Sequence, residues 1–157
     1  MSEEVGRKAN MRVVPISQEE CRELLKRTTI GRLGCSLNNQ PYVVPVSFAY
    51  EPEFVYVFST LGKKIEWMRQ NPKVCLEVDE LGTRSNWTSV VVTGSYQELS
   101  EQKYPAEREH AMELLAHQSE WWRTPLAERR EQTSDSLIEP IFFRIDISSI
   151  SGLRAEP

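Results

Sequence analysis

Five residues in one short turn, Ser59, Thr60, Gly62, Lys63 and Lys64, carry the most specific chemical signal in the chain. They lie where an apolar, aromatic run over 54–58 gives way to a helical pattern near Ile65. The first turn of a helix presents unpaired backbone N–H groups and partial positive charge. Lys63 and Lys64 place two cations there, each unfavourable by roughly 0.3–1 kcal/mol on a bare surface. An anion resolves the conflict. The hydroxyls of Ser59 and Thr60, the bare backbone of Gly62 and both ammonium groups suit a phosphate. An exposed helix start with two solubilising lysines is the other reading. The turn is not a Walker loop, because no glycine stands five residues before Gly62 and Ile65 replaces the required Ser or Thr. The GxGxxG of a dinucleotide-binding Rossmann site is also missing.

Two further segments could meet such a ligand. Pro41-Tyr42-Val43-Val44-Pro45-Val46-Ser47-Phe48 reads as a strand with a proline inside it. Pro45 removes a ladder donor, which restricts it to an edge, a bulge or a place where a ligand meets the backbone. Neighbouring N–H and C=O groups could pair with a flat heterocycle; an edge strand protected by proline is the alternative. In the segment 87–94, Trp87 and Ser89 lie on one side of an extended chain. Trp87 could wall a planar ligand and Ser89 hydrogen-bond it, or Trp87 could pack at a barrel end. His110 and His117 share a helical face with acidic neighbours and no further ligands, so no metal site is expected. Adjacent Trp121 and Trp122 could cap a pocket, bury at a subunit contact or pack in the core. No Ser-His-Asp or paired-carboxylate arrangement stands out, so no catalytic acid is nominated. The cysteines, Cys21, Cys35 and Cys75, are widely spaced without a CxxC, which argues for inert thiols in a reducing cytoplasm.

The elements that position these residues follow from pattern. The 157 residues suit one domain with a moderate core. A formal net charge of −4 gives no global basic field for nucleic acid or membrane. No apolar run approaches the roughly 18 residues of a membrane span. Residues 1–10 lack the apolar centre of a secretory signal and read as a mobile tail on a cytoplasmic protein. Ser17 predicts an N-cap, with Glu20 completing a capping box ahead of the stripe Cys21, Leu24 and Leu25. Strands follow over 30–37, 41–50 and 54–59, close enough to require antiparallel hairpins. The helix opened by Gly62 runs to about residue 70, with Ile65 and Met68 inward, and Asn71-Pro72 ends it. Strands over 73–79 and 88–99 flank a polar loop at 81–86, with a bulge or bend at Gly94. A helical insert spans about 103–131. Its first helix, over 105–118, has Met112, Leu114 and Leu115 on its apolar side; a short charged helix starts at Thr124-Pro125. A strand over 140–150 is the sixth. The pattern predicts a mainly β domain over 11–153, a small six-stranded antiparallel barrel with peripheral helices.

Taken together, these segments resemble the pyridoxamine 5′-phosphate oxidase-like family of FMN-binding split barrels, and within it the nitroimidazole-resistance (Nim-type) branch. The marks, in order, are Ile30-Gly31-Arg32-Leu33-Gly34 and the segments 41–48, 58–65, 68–75 and 87–94. Phe143-Arg144-Ile145 closes the series. The resemblance implies a Greek-key split β-barrel and a homodimer with FMN at the subunit interface. It assigns Ser59, Thr60, Lys63 and Lys64 to the phosphate. The backbone of Val44-Pro45-Val46-Ser47 faces the isoalloxazine ring, with a donor from Val46 or Ser47 near its N5–O4 edge, and Ser89 contacts the flavin from the next strand. Lys63-Lys64 replaces the arginine and lysine common in the larger oxidases, keeping charge without the bidentate fork. Phe48 stands where vitamin B6 oxidases tend to have lysine, and their arginine-rich C-terminal segment is missing; both argue against that substrate. The implied activity is FMN-dependent reduction or oxidation of a small aromatic, quinone or nitro compound. The same barrel leaves open a flavin- or haem-binding sensor or store without turnover, and a deazaflavin (F420)-dependent reductase.

Overall fold

The computed structural model describes residues 11–118 and 140–157. Strand β1 (Arg12–Pro15) leads to helix α1 (Gln18–Arg27) and then to strands β2 (Ile30–Leu37), β3 (Gln40–Glu51) and β4 (Phe54–Thr60). Helix α2 (Lys63–Gln70), strands β5 (Lys73–Thr83) and β6 (Asn86–Glu98), helix α3 (Pro105–Gln118) and strand β7 (Pro140–Glu156) complete the chain. The expected tail over 1–10, Trp121, Trp122 and the short helix after Thr124 fall outside the described residues.

All strand pairings are antiparallel. The order is β1-β7-β4-β3-β2-β5-β6, and β6 also pairs with β7. Strands β2 to β7 thus close the predicted six-stranded ring, and β1 hangs on the far end of β7. Asn38 and Asn39 both take positive φ, 51° and 65°. That pair of left-handed residues is what a two-residue hairpin between β2 and β3 needs, and asparagine tolerates it better than most. Strand β7 is 17 residues long and serves several neighbours: β4 along its first half, β6 along most of its length and β1 at its end. The β6–β7 register shifts between Thr93 and Gly94. A Cβ at Gly94 would stand 2.2 Å from the Asp146 carbonyl oxygen, so backbone proximity dictates glycine at the expected bulge.

Alternation fills the ring. Val46, Phe48, Val57, Leu76, Val92 and Phe143 are buried in one cluster, which also takes Cys21, Leu24 and Leu25 from α1 and Ile65 and Met68 from α2. Helix α3 builds a second cluster outside the wall, with Ala111 and Leu115 against Ala49, Tyr56 and Phe142. Met112 was expected on its apolar side but is exposed; it stands one position round the helix from Ala111. Among the described residues no helix is long and apolar enough to cross a membrane.

Several local expectations are revised. Strand β1 was not foreseen, and β7 runs past Ile150 to Glu156 because β6 and β1 pair its last residues. The loop expected over 81–86 shortens to the turn Arg84-Ser85: β5 continues to Thr83 and β6 begins at Asn86, with an irregular register between Leu81 and Thr83. Ser17 caps α1, its Oγ accepting from the Glu20 N–H at 3.1 Å. The Glu20 carboxylate does not complete the box; it accepts from Arg154 Nη1.

Candidate functional site

The barrel wall parts between β3 and β4. These strands pair only from Phe48 opposite Val57 to Glu51 opposite Phe54. Beyond Val57, β4 stays with β7 as far as Thr60, while β3 stays with β2 back to Gln40. Backbone groups alternate sides along a strand. The Phe48 N–H donates to the Thr29 carbonyl at 3.0 Å, on the β2 side. By alternation the Val46 N–H also faces β2, whereas the backbone groups of Val43, Pro45 and Ser47 face the split. The Ser47 N–H lies just past the last β4 pair. Pro45 is exposed, and its missing N–H falls on the open side, so it takes nothing from the β2–β3 ladder.

The turn into α2 borders this opening. Gly62 caps α2 with extended backbone (φ −179°, ψ −168°) and no side-chain cap. Any residue adopts that φ. What glycine leaves is space: the nearest atom to an added Cβ is the Thr60 carbonyl oxygen at 4.0 Å. Ser59 is 5% exposed, and its Oγ donates to the Thr60 carbonyl at 3.1 Å. Lys63 Nζ stands 4.8 Å from the Tyr42 ring centroid and 4.7 Å from that of Trp67. Such contacts are worth about 0.5–1 kcal/mol each at exposed sites and hold the ammonium in place. Lys64 is half-buried, and desolvation lowers its pKa from the ordinary 10.5. Neither lysine has a carboxylate partner among the described residues, whereas Arg12, Arg27, Arg32, Arg69, Arg144 and Arg154 all do. An acidic chain that leaves these two cations unpaired, one of them desolvated, has a site ready for an external anion.

Helix α2 is fixed from both sides. Arg69 donates to the Glu98 carboxylate at 2.7 and 3.0 Å, and the Tyr96 hydroxyl donates to it at 2.7 Å. The hydrogen bond from Arg69 is the main cause that holds Glu98 below its ordinary range. Asn71 Nδ2 donates to the Ser36 carbonyl at 3.0 Å.

Not every expected residue joins the split. Ser89 lies on β6, three strand spacings from β3 by way of β2 and β5, ~14 Å along the sheet. Its Oγ donates to Glu77 at 2.9 Å. Arg32 Nη1 donates to Asp79 at 2.8 Å beside it, and burial, then the hydrogen bond with Asp79, raise the Glu77 pKa. Two acids two residues apart on β5 were the legible sign of this cluster, since alternate strand residues share a face. Trp67 was also overlooked as a lysine partner, although it follows Lys63 by one helical turn; Tyr42 gave no sign. His110 Nε2 lies 2.9 Å from the Glu51 carboxylate, and its ring meets Tyr56 edge-on, an arrangement that fastens α3. No group of three metal-ligating side chains occurs among the described residues. The three cysteines are free thiols, and burial raises the pKa of Cys21 and Cys35.

Residues 17–154 match the family described as pyridoxamine 5′-phosphate oxidase. An uncharacterized protein of Rhizobium meliloti (strain 1021) is 38% identical over 141 residues, spanning 89% of this chain and 93% of that one. A FAD-binding protein from Mesorhizobium loti has a similar structure, with a TM-score of 0.74 and 40% identity over 94% of this chain and all of that one. A Bacteroides thetaiotaomicron VPI-5482 protein, provisionally assigned to 5-nitroimidazole antibiotic resistance, gives a TM-score of 0.64 at 19% identity, covering 94% and 93%. At that identity the likeness is one of fold.

Proposed function

Because the chain belongs to the pyridoxamine 5′-phosphate oxidase family, we propose that it is a flavin-dependent oxidoreductase that holds an FMN moiety in the split between β3 and β4. One observation carries this reading: the edge of β3 that has no β4 partner before Phe48, the side the Ser47 N–H faces by alternation, borders a turn whose half-buried Lys64 has no anionic partner among the described residues. The FAD-binding Mesorhizobium loti relative supports a flavin. The residues fit one: the turn offers cations and space at Gly62, and the split offers a backbone donor instead of a side chain.

When bound, FMN supplies hydride transfer at its N5 position. The chain supplies placement. Lys63, Lys64, the Thr60 hydroxyl and the first N–H groups of α2 would hold the phosphate. Ser59 would contribute its hydroxyl only by releasing the Thr60 carbonyl. The Ser47 N–H, fixed by the neighbouring ladder, is oriented in advance to favour negative charge on the ring edge. Exposed Pro45 gives the opening a flat apolar side, suited to a small aromatic, quinone or nitro substrate.

The reading includes a homodimer. Val13, Ile30, Leu81 and Leu153 are exposed on the outer face of the ring that carries Trp87, flanking the hydrogen-bonded cluster of Arg32, Glu77, Asp79 and Ser89. Ser89 lies on this face, paired with Leu153, and would serve a flavin held across the subunit contact.

The visible spectrum of freshly purified protein tests the cofactor, with flavin bands expected. Lys63→Ala combined with Lys64→Ala should yield a folded, colourless protein; a yellow variant of unchanged affinity removes the turn from the site. Stopped-flow mixing with NADH or NADPH and a series of acceptors tests turnover. Bound flavin that is neither reduced nor reoxidised would leave a carrier or sensor, not an enzyme.

A further inference from the structure

Lys63 is held by two rings that come from different elements. It opens α2, and its Nζ stands 4.8 Å from the Tyr42 ring centroid and 4.7 Å from that of Trp67. The rings lie 5.9 Å apart and are inclined at 56°, so the ammonium sits in a notch between them. Trp67 follows Lys63 by one helical turn, and long side chains on a helix lean back toward its N-terminus. Its ring is thereby brought to the turn over 59–64. Tyr42 arrives from β3, where it shares the inner face with Val44, Val46 and Phe48. Both rings pack against the main core cluster, which fixes their positions.

The notch decides between rivals for one cation. Glu66 stands three residues after Lys63 on the same helix, a spacing at which a lysine and a carboxylate can pair. Among the described residues no such pair forms, and the ammonium takes the rings instead. A ring face attracts a cation without neutralising it. Lys63 is also exposed, so its ammonium keeps N–H groups open to an incoming anion. A free lysine loses rotamer freedom when it closes on a phosphate. One already ordered by two rings loses less, which is the gain of preorganisation.

We propose that Tyr42 and Trp67 are positioning residues that, by holding Lys63 at the turn, set the preference of the site for a flavin ending in a phosphate over one ending in a hydroxyl. The inference rests on the flavin reading above and adds to it the source of selectivity at the tail. Lys64 brings its charge separately, so loss of Lys63 weakens the grip on a phosphate without abolishing it.

Full-length protein stripped of cofactor, titrated calorimetrically with FMN and with riboflavin, tests the assignment. The unaltered protein should bind FMN at least about tenfold more tightly than riboflavin. Trp67→Leu and Tyr42→Leu should each weaken FMN binding by about threefold, the scale of one cation–π contact, and leave riboflavin within about 1.5-fold. On a Lys63→Met background the same changes should alter FMN affinity by less than about 1.5-fold, because the rings act through the lysine. Trp67→Phe, which keeps a ring face, should restore most of the loss. Unchanged FMN affinity overturns the proposal, and so does an equal loss for FMN and riboflavin or a loss that persists without Lys63. Equal affinity of the unaltered protein for the two flavins takes the phosphate out of the turn and the proposal with it. Binding of neither removes the flavin reading itself. If one ring variant does not fold, the other, on a different element, carries the cycle. If neither folds, the Lys63 Hε proton resonances of the unaltered protein decide: they should lie upfield, under the rings, both without ligand and with FMN. Their return to ordinary positions when FMN binds would show that the lysine leaves the notch, and the proposal fails.

Discussion

Lys64 concentrates the conflict between stability and binding in one side chain. Burial without an anionic partner disfavours its charged form, so its pKa is lowered in the ligand-free fold. The unfolded chain then binds more protons than the fold between the lowered pKa and the ordinary 10.5, and stability rises with pH across that window. Below the window the charged ammonium is a constant cost. Lys64→Met should therefore raise the melting temperature of ligand-free protein, by about 2–4 °C if the cost is ~1 kcal/mol, while weakening flavin binding. Differential scanning calorimetry and flavin titration on the same samples check both directions. In the unaltered protein, flavin affinity should be full below the lowered pKa and fall as pH rises through it; Lys64→Met should flatten that part of the profile. Gly62 offers the complementary test. Its backbone does not demand glycine, and an added methyl meets nothing closer than 4.0 Å. Gly62→Ala should cost no more than about 1 kcal/mol as a poorer cap, yet reduce flavin affinity at least about tenfold by occupying the anion's space. Unchanged affinity would show that the phosphate lies elsewhere.

Elements succeed or fail here through backbone proximity as much as through apolar pattern. Gly94→Ala drives a methyl against the Asp146 carbonyl, where β6 changes register against β7. It should cost about 2–3 kcal/mol, read as a lower urea midpoint at unchanged slope. The bulge at Gly94, the Ser17 cap and the inward pair Ile65 and Met68 were legible because each is written within a few neighbouring residues. Strand β1 was not, because four residues acquire strand character only from their partner at 153–156. The β5–β6 hairpin was read short because polar residues over 81–86 sit on a ladder that continues through an irregularity. The split itself is a place where a pairing stops, and sequence records no such event. The choice of Ser47 over Val46 as the open donor needed the parity set by the Phe48 N–H bond to Thr29.

At the scale of the molecule, the turn was visible in the sequence as charge in the wrong place, but what surrounds it was not. The exposed apolar residues of the outer face were hidden, since Val13, Ile30, Leu81 and Leu153 are far apart in the chain. If that face pairs two copies, Leu153→Asp should shift the protein from dimer to monomer in light-scattering chromatography, and flavin affinity should fall with the dimer fraction. A monomeric parent protein would rule out the contact.

The parting of β3 from β4 also bears on protein quality control. A strand with one free flank inside an otherwise sealed ring can template a foreign strand or a neighbouring polypeptide. A ligand held in the gap, as proposed, would shield that flank, and ligand-free chains would carry it uncovered. Pro45 has no amide hydrogen to offer on that flank, so a foreign strand would find one ladder donor missing there.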